Sequence, residues 1–457
     1  MKQQVFSRDF TLVVIGQIIS LFGNAILHFA LPLYLLRETG SSALFGVVTA
    51  CSFLPMVILS PVGGAVADRV NKRSMMAGLD FFTAGLILMY TLIWGLAPLV
   101  PVTVACLMLL YGIAGAYQPS VQASVPLLLP QESLNTGNAV INMVQTLANL
   151  LGPILGGILL SAWGLRPILW ISILCFFASA VMELFIRIPH VKQPRASGVF
   201  STVWADLRES AQYIRREKPV FLRVTLLLSA FNLILSAAMI VGIPVLVVNI
   251  LKMSDASLGL TQGAMGLGGV LGGVLGGTLG NRLRPRHGAA LLLICSGTLA
   301  VMGLILFPGI PPSLSYWTIT VFSLLMMAAA SLFSILLLSA IQLQVAPHLL
   351  GKVIACVQAA ANCASPLGQA GYGVLFEHLP PCPILLGAAL LSTVIGLRSA
   401  QIFSGAGPRR HAGVQQSVSI CKQERFQTES SAVSPVCRDF FSGEKPAGFS
   451  PQAVEKV

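Results

Sequence analysis

Three ionisable side chains interrupt long apolar runs of this 457-residue chain, and they are His28, Asp80 and Glu183. A charge at the centre of a bilayer costs about 2.5 to 3.5 kcal/mol on insertion scales, so each side chain is expected to have a partner or a function. Proton binding and release is the chemistry available to all three, and unperturbed histidine titrates near neutral pH. His28 lies deepest in its run and is the first proton-carrier candidate. Asp80 and Glu183 lie near the ends of their runs, where we expect them to reach water or a basic loop.

Amide and hydroxyl side chains recur at helical spacing within the same apolar runs. Polar side chains that face lipid would be costly, so these faces are expected to line the protein interior or a water-filled cavity. Interhelical hydrogen bonding without substrate contact is the alternative for any one of them. The candidates for a substrate pathway are Gln17, Ser20, Asn24, Asn142, Gln145, Asn149, Asn232, Gln358 and Asn362.

A short polar sequence recurs between apolar runs, once in each half of the chain. The two copies are Gly64-Ala-Val-Ala-Asp68-Arg69-Val-Asn-Lys72-Arg73 and Gly277-Thr-Leu-Gly-Asn281-Arg282-Leu-Arg-Pro-Arg286. A glycine, an Asp or Asn, and then cations at fixed offsets indicate two homologous membrane halves with matching short loops. Asn281 in the second copy keeps the hydrogen-bonding capacity of Asp68 but loses its charge.

The fifth apolar run contains a proline among glycines, in the sequence Ala148-Asn-Leu-Leu-Gly152-Pro153-Ile-Leu-Gly156-Gly157. Proline inside a helix removes a backbone hydrogen bond, and glycines permit a bend and the close approach of a neighbouring helix. The sequence therefore predicts a bent, closely packed helix here. Generic helix packing without a special function is the alternative.

The elements that position these residues are membrane helices. Hydrophobic residues make up 55% of the chain and charged residues 10%, and the mean hydropathy is +0.82. Helices need roughly 20 apolar residues to cross a bilayer, and twelve runs of about that length predict an all-α integral membrane protein. The runs cover residues 10–36, 43–67, 75–97, 101–128, 137–162, 167–188, 220–250, 257–280, 288–308, 315–346, 353–376 and 382–401.

The distribution of cations predicts the orientation in the membrane. Lys and Arg are retained on the cytoplasmic side, and placing both termini there leaves only Arg37, Arg166 and Lys252 on outer loops. The net charge of +12 is therefore explained by a basic inner face beside anionic lipid, and nucleic-acid binding is not expected. Nine cysteines without a CxxC pair imply neither a disulfide framework nor a metal site. We predict a multi-pass protein of the cell membrane with both termini cytoplasmic.

Polar sequence divides the chain into four predicted parts. A six-helix bundle occupies residues 1–188, a cytoplasmic central loop occupies 189–219, and a second six-helix bundle occupies 220–403. Residues 404–457 are poor in large aliphatic side chains and are expected to form a disordered cytoplasmic tail. Matching landmarks in both halves favour parallel repeats related by an axis along the membrane normal.

These features together resemble the major facilitator superfamily, in which twelve helices form two rocking bundles. The repeated polar sequence resembles the family signature between the second and third spans, and the segment around Pro153 resembles the motif of its antiporters. Segments 16–21, 117–130 and 347–353 resemble the macrolide-efflux and siderophore-export branch. One departure is Tyr111, which stands where the family often has an arginine tied to proton handling.

The resemblance implies roles for both motifs. An inner latch between the bundles would involve Gly64, Asp68, Arg69, Lys72, Arg73, Asn281, Arg282 and Arg286. A bend that seals the outer side against leak would involve Gly152, Pro153, Gly156 and Gly157.

The function expected from this resemblance is secondary active export of amphipathic drugs, macrolide-like or of several classes, by alternating access and proton antiport. The chain has no Walker lysine, hydrolase triad or set of metal ligands at useful spacing, so no enzyme activity, cofactor or metal is expected. The expected partners are a small-molecule substrate, protons and the lipid bilayer, and the expected state is a monomer. The alternatives are export of an endogenous metabolite such as a siderophore, import, or a non-transporting receptor or scaffold.

Overall fold

Within the residues that the structure describes, twelve long helices form in the order that the apolar runs predict. The computed structural model describes residues 7–67, 70–188, 219–279, 287–342, 345 and 347–404. The helices are α1 Arg8–Thr39, α2 Ser42–Ala67, α3 Lys72–Ile93, α4 Leu99–Leu128, α5 Leu134–Trp163, α6 Leu165–Glu183, α7 219–250, α8 Asp255–Leu279, α9 His287–Leu304, α10 Pro312–Gln342, α11 Pro347–His378 and α12 Pro381–Ser404. The predicted loop 189–219 and tail 404–457 lie almost entirely outside the described residues.

Most of these helices are long and apolar enough to cross a membrane. Within the described residues, eleven helices meet that requirement, and α11 is the helix that does not. α11 is 32 residues long, which at about 1.5 Å per residue exceeds the thickness of a bilayer core. Its amide and hydroxyl side chains lower its hydropathy, so composition rather than length distinguishes it from the others.

The ends of α1 show how local sequence sets a helix boundary. The Ser7 side chain caps the N-terminus by accepting a hydrogen bond from the Phe10 amide at 3.3 Å. Gly40 ends the helix in the left-handed conformation with φ of 66°, which a residue without Cβ adopts readily. We call the side of the protein where α1 begins the Arg8 end and the opposite side the Arg37 end.

The described helices pack in two groups that meet mainly along two pairs. In the first group α1 packs on α5 and α6, α2 on α4, and α3 on α6; in the second, α8 and α9 pack on α10, and α7 packs on α11. The pairs α2–α11 and α5–α8 join the groups. The described residues up to Phe403 belong to one compact unit, so the division into bundles 1–188 and 220–403 stays a prediction.

The seventh helix departs from α-helical geometry over much of its length. It begins as an α-helix, Pro219–Phe231, and continues through π-helical segments Asn232–Ser236, Ala238–Gly242 and Val245–Ile250. The stretch around Pro244 is buried between neighbouring helices. Wider π turns change which side chains share a face and occur frequently at functional sites.

Candidate functional site

A cavity of about 330 Å³ lies between the two groups of helices, at the level where α1 contains Pro32. Helices α1, α2, α4 and α5 form one wall, and α7 and α8 form the other. Most of the lining is apolar or aromatic. The polar lining side chains are His28, Thr49, Tyr111, Asn149 and Gln262. Ligand pockets commonly combine apolar walls with a few polar groups, and this volume is near the lower end of their usual range of about 300 to 1,000 Å³.

His28 and Tyr111 form a stacked pair in the cavity wall. Their ring centroids are 4.0 Å apart and the planes differ by 4°, while Phe53 meets Tyr111 edge-on at 6.3 Å. The Nε2 atom of His28 is buried and has no hydrogen-bond partner. A buried polar atom without a partner is costly, so this nitrogen is suited to a water molecule or a substrate. The structure therefore places the first proton-carrier candidate in the cavity and beside an aromatic ring.

An amide chain connects the cavity to the interface between α4 and α5. Gln118 donates a hydrogen bond from Nε2 to Oε1 of Gln145. Gln145 in turn donates from Nε2 to Oδ1 of Asn149 at 3.4 Å. Asn149 is part of the cavity wall, so a change at Gln118 can reach the cavity through two hydrogen bonds.

The other predicted pathway residues lie away from this cavity in the described structure. Gln17 and Ser20 are buried, Asn142 and Gln358 are exposed, and Asn24 and Asn362 are partly exposed. Asn232 donates from Nδ2 to the Leu228 carbonyl oxygen of its own helix at 3.2 Å. Sequence reasoning missed Thr49 and Gln262 as lining residues, because a single polar residue in a glycine-rich or apolar run gives no periodic signal.

Asp80 and Glu183 form a second polar cluster, inside the first group of helices. Their exposed fractions are 2% and 1%, so the expectation that they reach water is wrong for the described structure. Ser20 of α1 donates to Oδ2 of Asp80, and Tyr117 of α4 donates to Oε1 of Glu183 at 2.6 Å. Ser179 of α6 lies 3.0 Å from Ser20, hydroxyl to hydroxyl. Sequence position near a helix end did not reveal this burial, because the neighbouring helices cover both carboxyls.

The carboxyl cluster has no compensating cation among the described residues. The ion pair that the described side chains form is Arg37–Asp255, far along α1 from Ser20. The Oε2 atom of Glu183 is buried and has no hydrogen-bond partner. A buried charge is ordinarily paired or neutralised, so this cluster is chemically suited to hold a proton.

A set of polar contacts joins the two groups of helices at the Arg37 end. Arg37 Nε lies 2.5 Å from Asp255 Oδ1 at the start of α8. Glu377 of α11 accepts hydrogen bonds from the Ala43 amide at 3.1 Å and the Ser41 hydroxyl at 3.3 Å, and so caps the N-terminus of α2. Asn249 of α7 donates to the Gly40 carbonyl oxygen at 3.2 Å.

Close glycine contacts hold the helices together at the same end. A Cβ atom on Gly46 would lie 2.7 Å from the Gly373 Cα atom, and one on Gly157 would lie 3.0 Å from the Gly259 Cα atom. These distances allow the backbones of α2 and α11, and of α5 and α8, to touch. We call these two glycine contacts, with the polar contacts of Arg37, Glu377 and Asn249, the seam.

The glycines of the predicted antiporter motif pack α5 against two helices. A Cβ atom on Gly152 would overlap the Ala25 Cβ atom, and one on Gly156 would lie 3.0 Å from Phe29 Cδ1. Gly157 faces α8 across the seam. Pro153 lines the cavity. These residues therefore lie where α1, α5 and α8 meet, and their proposed sealing role stays a prediction.

The helices of the two groups separate towards the Arg8 end. A Cβ atom on Gly259, Gly263 or Gly266 of α8 would lie within about 3 Å of α5. In contrast, no described atom lies within 4 Å of the Cβ position of Gly273 or Gly277. On α5, Asn142 and Met143 are exposed, Met143 by 57%. The seam therefore closes the Arg37 end, while the α5–α8 contact is absent further along.

The predicted latch residues are described only in part. Asn71, which lies between Arg69 and Lys72 in the sequence, caps α3 by accepting a hydrogen bond from the Arg73 amide at 3.0 Å. Gly64 packs near Pro119 of α4. Lys72 is the first residue of α3. Asp68, Arg69, Asn281, Arg282 and Arg286 lie outside the described residues, so the latch stays a prediction.

Comparison with known proteins identifies the sequence profile of the Major Facilitator Superfamily over residues 13–369. Macrolide efflux protein A of Streptococcus pyogenes is 23% identical over 355 residues, which cover 77% of this chain and 85% of that protein. Multidrug efflux pump Tap of Mycolicibacterium fortuitum is 24% identical over 42% of this chain and 48% of its own length. Among solved structures, a mutant of the nucleoside transporter NupG superposes with a TM-score of 0.69 at 14% identity, covering 86% of this chain and 99% of that chain.

Proposed function

The chain belongs to the Major Facilitator Superfamily and is a multi-span membrane transporter of small molecules, and on that premise we propose that it is a secondary active exporter of amphipathic drugs. The observation that carries the proposal is the cavity between the two groups of helices. Its walls are apolar and aromatic, and a few polar atoms, including the unpartnered Nε2 of His28, are available to a substrate. Such a surface fits molecules with both apolar and polar parts.

The lack of carboxylate, Lys and Arg side chains in the described lining refines the class of substrate. Among the described residues that line the cavity, His28 is the one with an ionisable nitrogen, and no Asp, Glu, Lys or Arg contributes. Recognition would therefore depend on aromatic contact with Tyr111 and on hydrogen bonds to Asn149 and Gln262, rather than on an ion pair. The proposed cargo is neutral or weakly charged, and a cargo as large as a macrolide requires the cavity to widen.

Alternating access would use the seam as one of its two closures. In the described state the seam holds the Arg37 end shut, and α5 and α8 are no longer in contact towards the Arg8 end. With the termini in the cytoplasm, as the cation distribution predicts, this state receives cargo from the inside. Breaking the seam and closing the Arg8 end would release the cargo outside. The predicted latch around Asp68 would close the Arg8 end.

The energy for concentrative export would come from an ion gradient, and we propose proton antiport. The sequence contains no Walker lysine that could hold a nucleotide. Efflux by relatives such as Macrolide efflux protein A supports the outward direction. A protonophore is expected to raise cellular accumulation of cargo, whereas a dependence on ATP with the gradient clamped would contradict the proposal.

Growth of an efflux-deficient bacterial host on a panel of antibiotics tests the function. Expression of the chain should raise the inhibitory concentration of amphipathic compounds, and Tyr111→Ala should remove the effect because it deletes the aromatic surface over His28. Phe82→Ala is the matched control, since Phe82 is 56% exposed on α3. Equal resistance with Tyr111→Ala and wild type, at equal membrane expression, would exclude this cavity as the binding site. Resistance to nothing on the panel would favour an endogenous metabolite as cargo.

A further inference from the structure

The cluster around Asp80 and Glu183 brings four helices of the first group into one polar contact. α3 supplies Asp80, α4 supplies Tyr117, and α6 supplies Glu183 together with Ser179. α1 contributes Ser20 and the backbone of Gly16, where a Cβ atom would be in ordinary contact with Glu183, 3.5 Å from its Oε1. The titratable side chains of the cluster, among the described residues, are Asp80, Tyr117 and Glu183.

The hydrogen-bond donors of the cluster are too few for two ionised carboxylates. Ser20 donates to Asp80, and Tyr117 donates to Glu183. The Ser179 hydroxyl has three acceptors in reach: the Ser20 hydroxyl at 3.0 Å, the Gly16 carbonyl oxygen at 3.3 Å and the Asp80 carboxyl. Neutral hydroxyl donors, at most two for Asp80 and one for Glu183, do not replace the hydration that burial removes, and Glu183 Oε2 receives none.

No described cation relieves this shortage. The nearest described basic side chain along α3 is Arg73, seven residues or about 10 Å of helix rise before Asp80, and it forms no ion pair with a described carboxylate. At the end of α6, Arg187 is exposed, and its backbone amide bonds Asp9 Oδ1 at 3.0 Å. If both carboxyl groups were ionised, this buried site would contain two uncompensated negative charges.

The pair lies beside the cavity but not in it. None of the cluster residues contributes to the cavity lining. α1 is the helix they share: Ser20 precedes His28 by eight residues, about 12 Å of helix rise. A shift of α1 that follows a change of charge at Asp80 and Glu183 would therefore move His28 and the cavity wall.

We propose that Asp80 and Glu183 together hold one exchangeable proton and are the coupling site of the transporter, which rests on the proposed proton antiport. Proton uptake forms one O–H bond on a carboxylate oxygen of the pair while one O–H bond of a hydronium ion breaks and leaves water, and release transfers the proton back to water to re-form hydronium. The protonated pair carries one negative charge at most, and loss of the proton adds a second. Because Glu183 ends α6 and Arg187 beyond it is exposed, the short route to water is at the Arg8 end.

Separate sites for proton and cargo give this proposal a distinctive consequence. Cargo in the cavity and the proton on the carboxyl pair do not compete for the same atoms. Coupling runs through the position of α1 and is reciprocal. A change of pH should accordingly alter the affinity for cargo without abolishing its binding.

Infrared spectroscopy of the full chain in lipid tests the proton directly and needs no substrate. In a pH titration, the wild type should show the carbonyl stretch of a protonated carboxylic acid at neutral pH, and the band should disappear in alkali. Glu183→Gln or Asp80→Asn should each change this titration, and both keep the size of the side chain. Asp255→Asn is the matched control, since Asp255 is paired with Arg37 and should contribute no such band.

Three results would overturn the proposal: no protonated band in the wild type, a band that does not titrate, or a band unchanged in both variants. Tyr117→Phe provides a further variant that keeps both carboxyls. It removes the donor to Glu183, so ionisation becomes less favourable and the band should persist to a more alkaline pH than in the wild type. A band that titrates at lower pH in this variant would contradict the assigned geometry.

Transport of erythromycin in proteoliposomes tests the coupling. Glu183→Gln should reduce accumulation driven by a pH gradient about 5- to 150-fold, the range of ordinary coupling free energies, and should leave counterflow of erythromycin near the wild-type rate. Full gradient-driven accumulation by this variant would overturn the coupling role. A wild type that moves no erythromycin would count against this cargo, and the infrared titration would still uphold or overturn the proton site.

Discussion

Substituting Gly46 by Ala should open the seam, because the added methyl has no space. Its Cβ atom would lie 2.5 Å from the Gln369 carbonyl oxygen and 2.7 Å from the Gly373 Cα atom. Both are backbone atoms that cannot rotate away, so α2 and α11 must separate by about 1 Å to reach ordinary contact distances.

The cost of this contact arises in the state with the seam closed. Overpacking of a close contact costs about 1 to 3 kcal/mol. Because only the closed state bears this cost, the equilibrium between the closed and open seam should shift about 5- to 150-fold towards the open state. Gly371→Ala is the matched control. Gly371 lies on α11, two positions before Gly373, but it is exposed and no described atom lies within 4 Å of its Cβ position.

Distances between spin labels at positions 38 and 379 measure the opening. Glu38 and Leu379 are exposed at the Arg37 end, and the nine native cysteines would first be replaced. Gly46→Ala should populate longer distances than the wild type, and Gly371→Ala should not. Gly373→Ala, with its Cβ atom 2.8 Å from the Ser42 carbonyl oxygen, should act in the same direction. Unchanged distances in both seam variants would refute the argument.

Three further results are expected. Asp255→Asn should open the seam less than Gly46→Ala, because Arg37 is 42% exposed although Asp255 is only 8% exposed, so water screens the pair from one side and weakens it. An equal change in the same label distances would contradict this ranking. Gln118→Leu should weaken cargo binding without removing it, since Gln118 acts on Asn149 through Gln145, and an unchanged dissociation constant would show that the amide chain has no effect. Asp68→Asn should impair transport more than Asn281→Asp alters it, as the charge difference between the two loops predicts, and vesicle transport rates in the reverse order would exclude Asp68 as the main latch.

The sequence was sufficient for the helices because bilayer thickness acts on each run separately. Twelve apolar runs of the required length predicted twelve helices, and the structure has α1 to α12 at nearly the same bounds. α11 illustrates the limit of that reasoning. Its polar face lowers its hydropathy below that of the others, although its length and place in the repeat identify it as a span.

The candidate site was predictable only in part. His28 and Asn149 were recognised as polar residues on apolar helices, and both line the cavity. Gln17 and Ser20 were placed on the same face, but both are buried away from it. Spacing along one helix gives the angular position of a side chain, whereas the helix that covers it depends on contacts distant in sequence.

The chain by itself determined its class, because composition, run length and repeated loops are local properties that lipid constrains strongly. Tertiary structure decided which polar residues meet. Asp80 and Glu183 are 103 positions apart, and they share a buried cluster because α1, α3, α4 and α6 pack there. The seam likewise joins Arg37 to Asp255 and Ala43 to Glu377. Such pairings follow from the packing of whole helices, so no short stretch of sequence contains the information that specifies them.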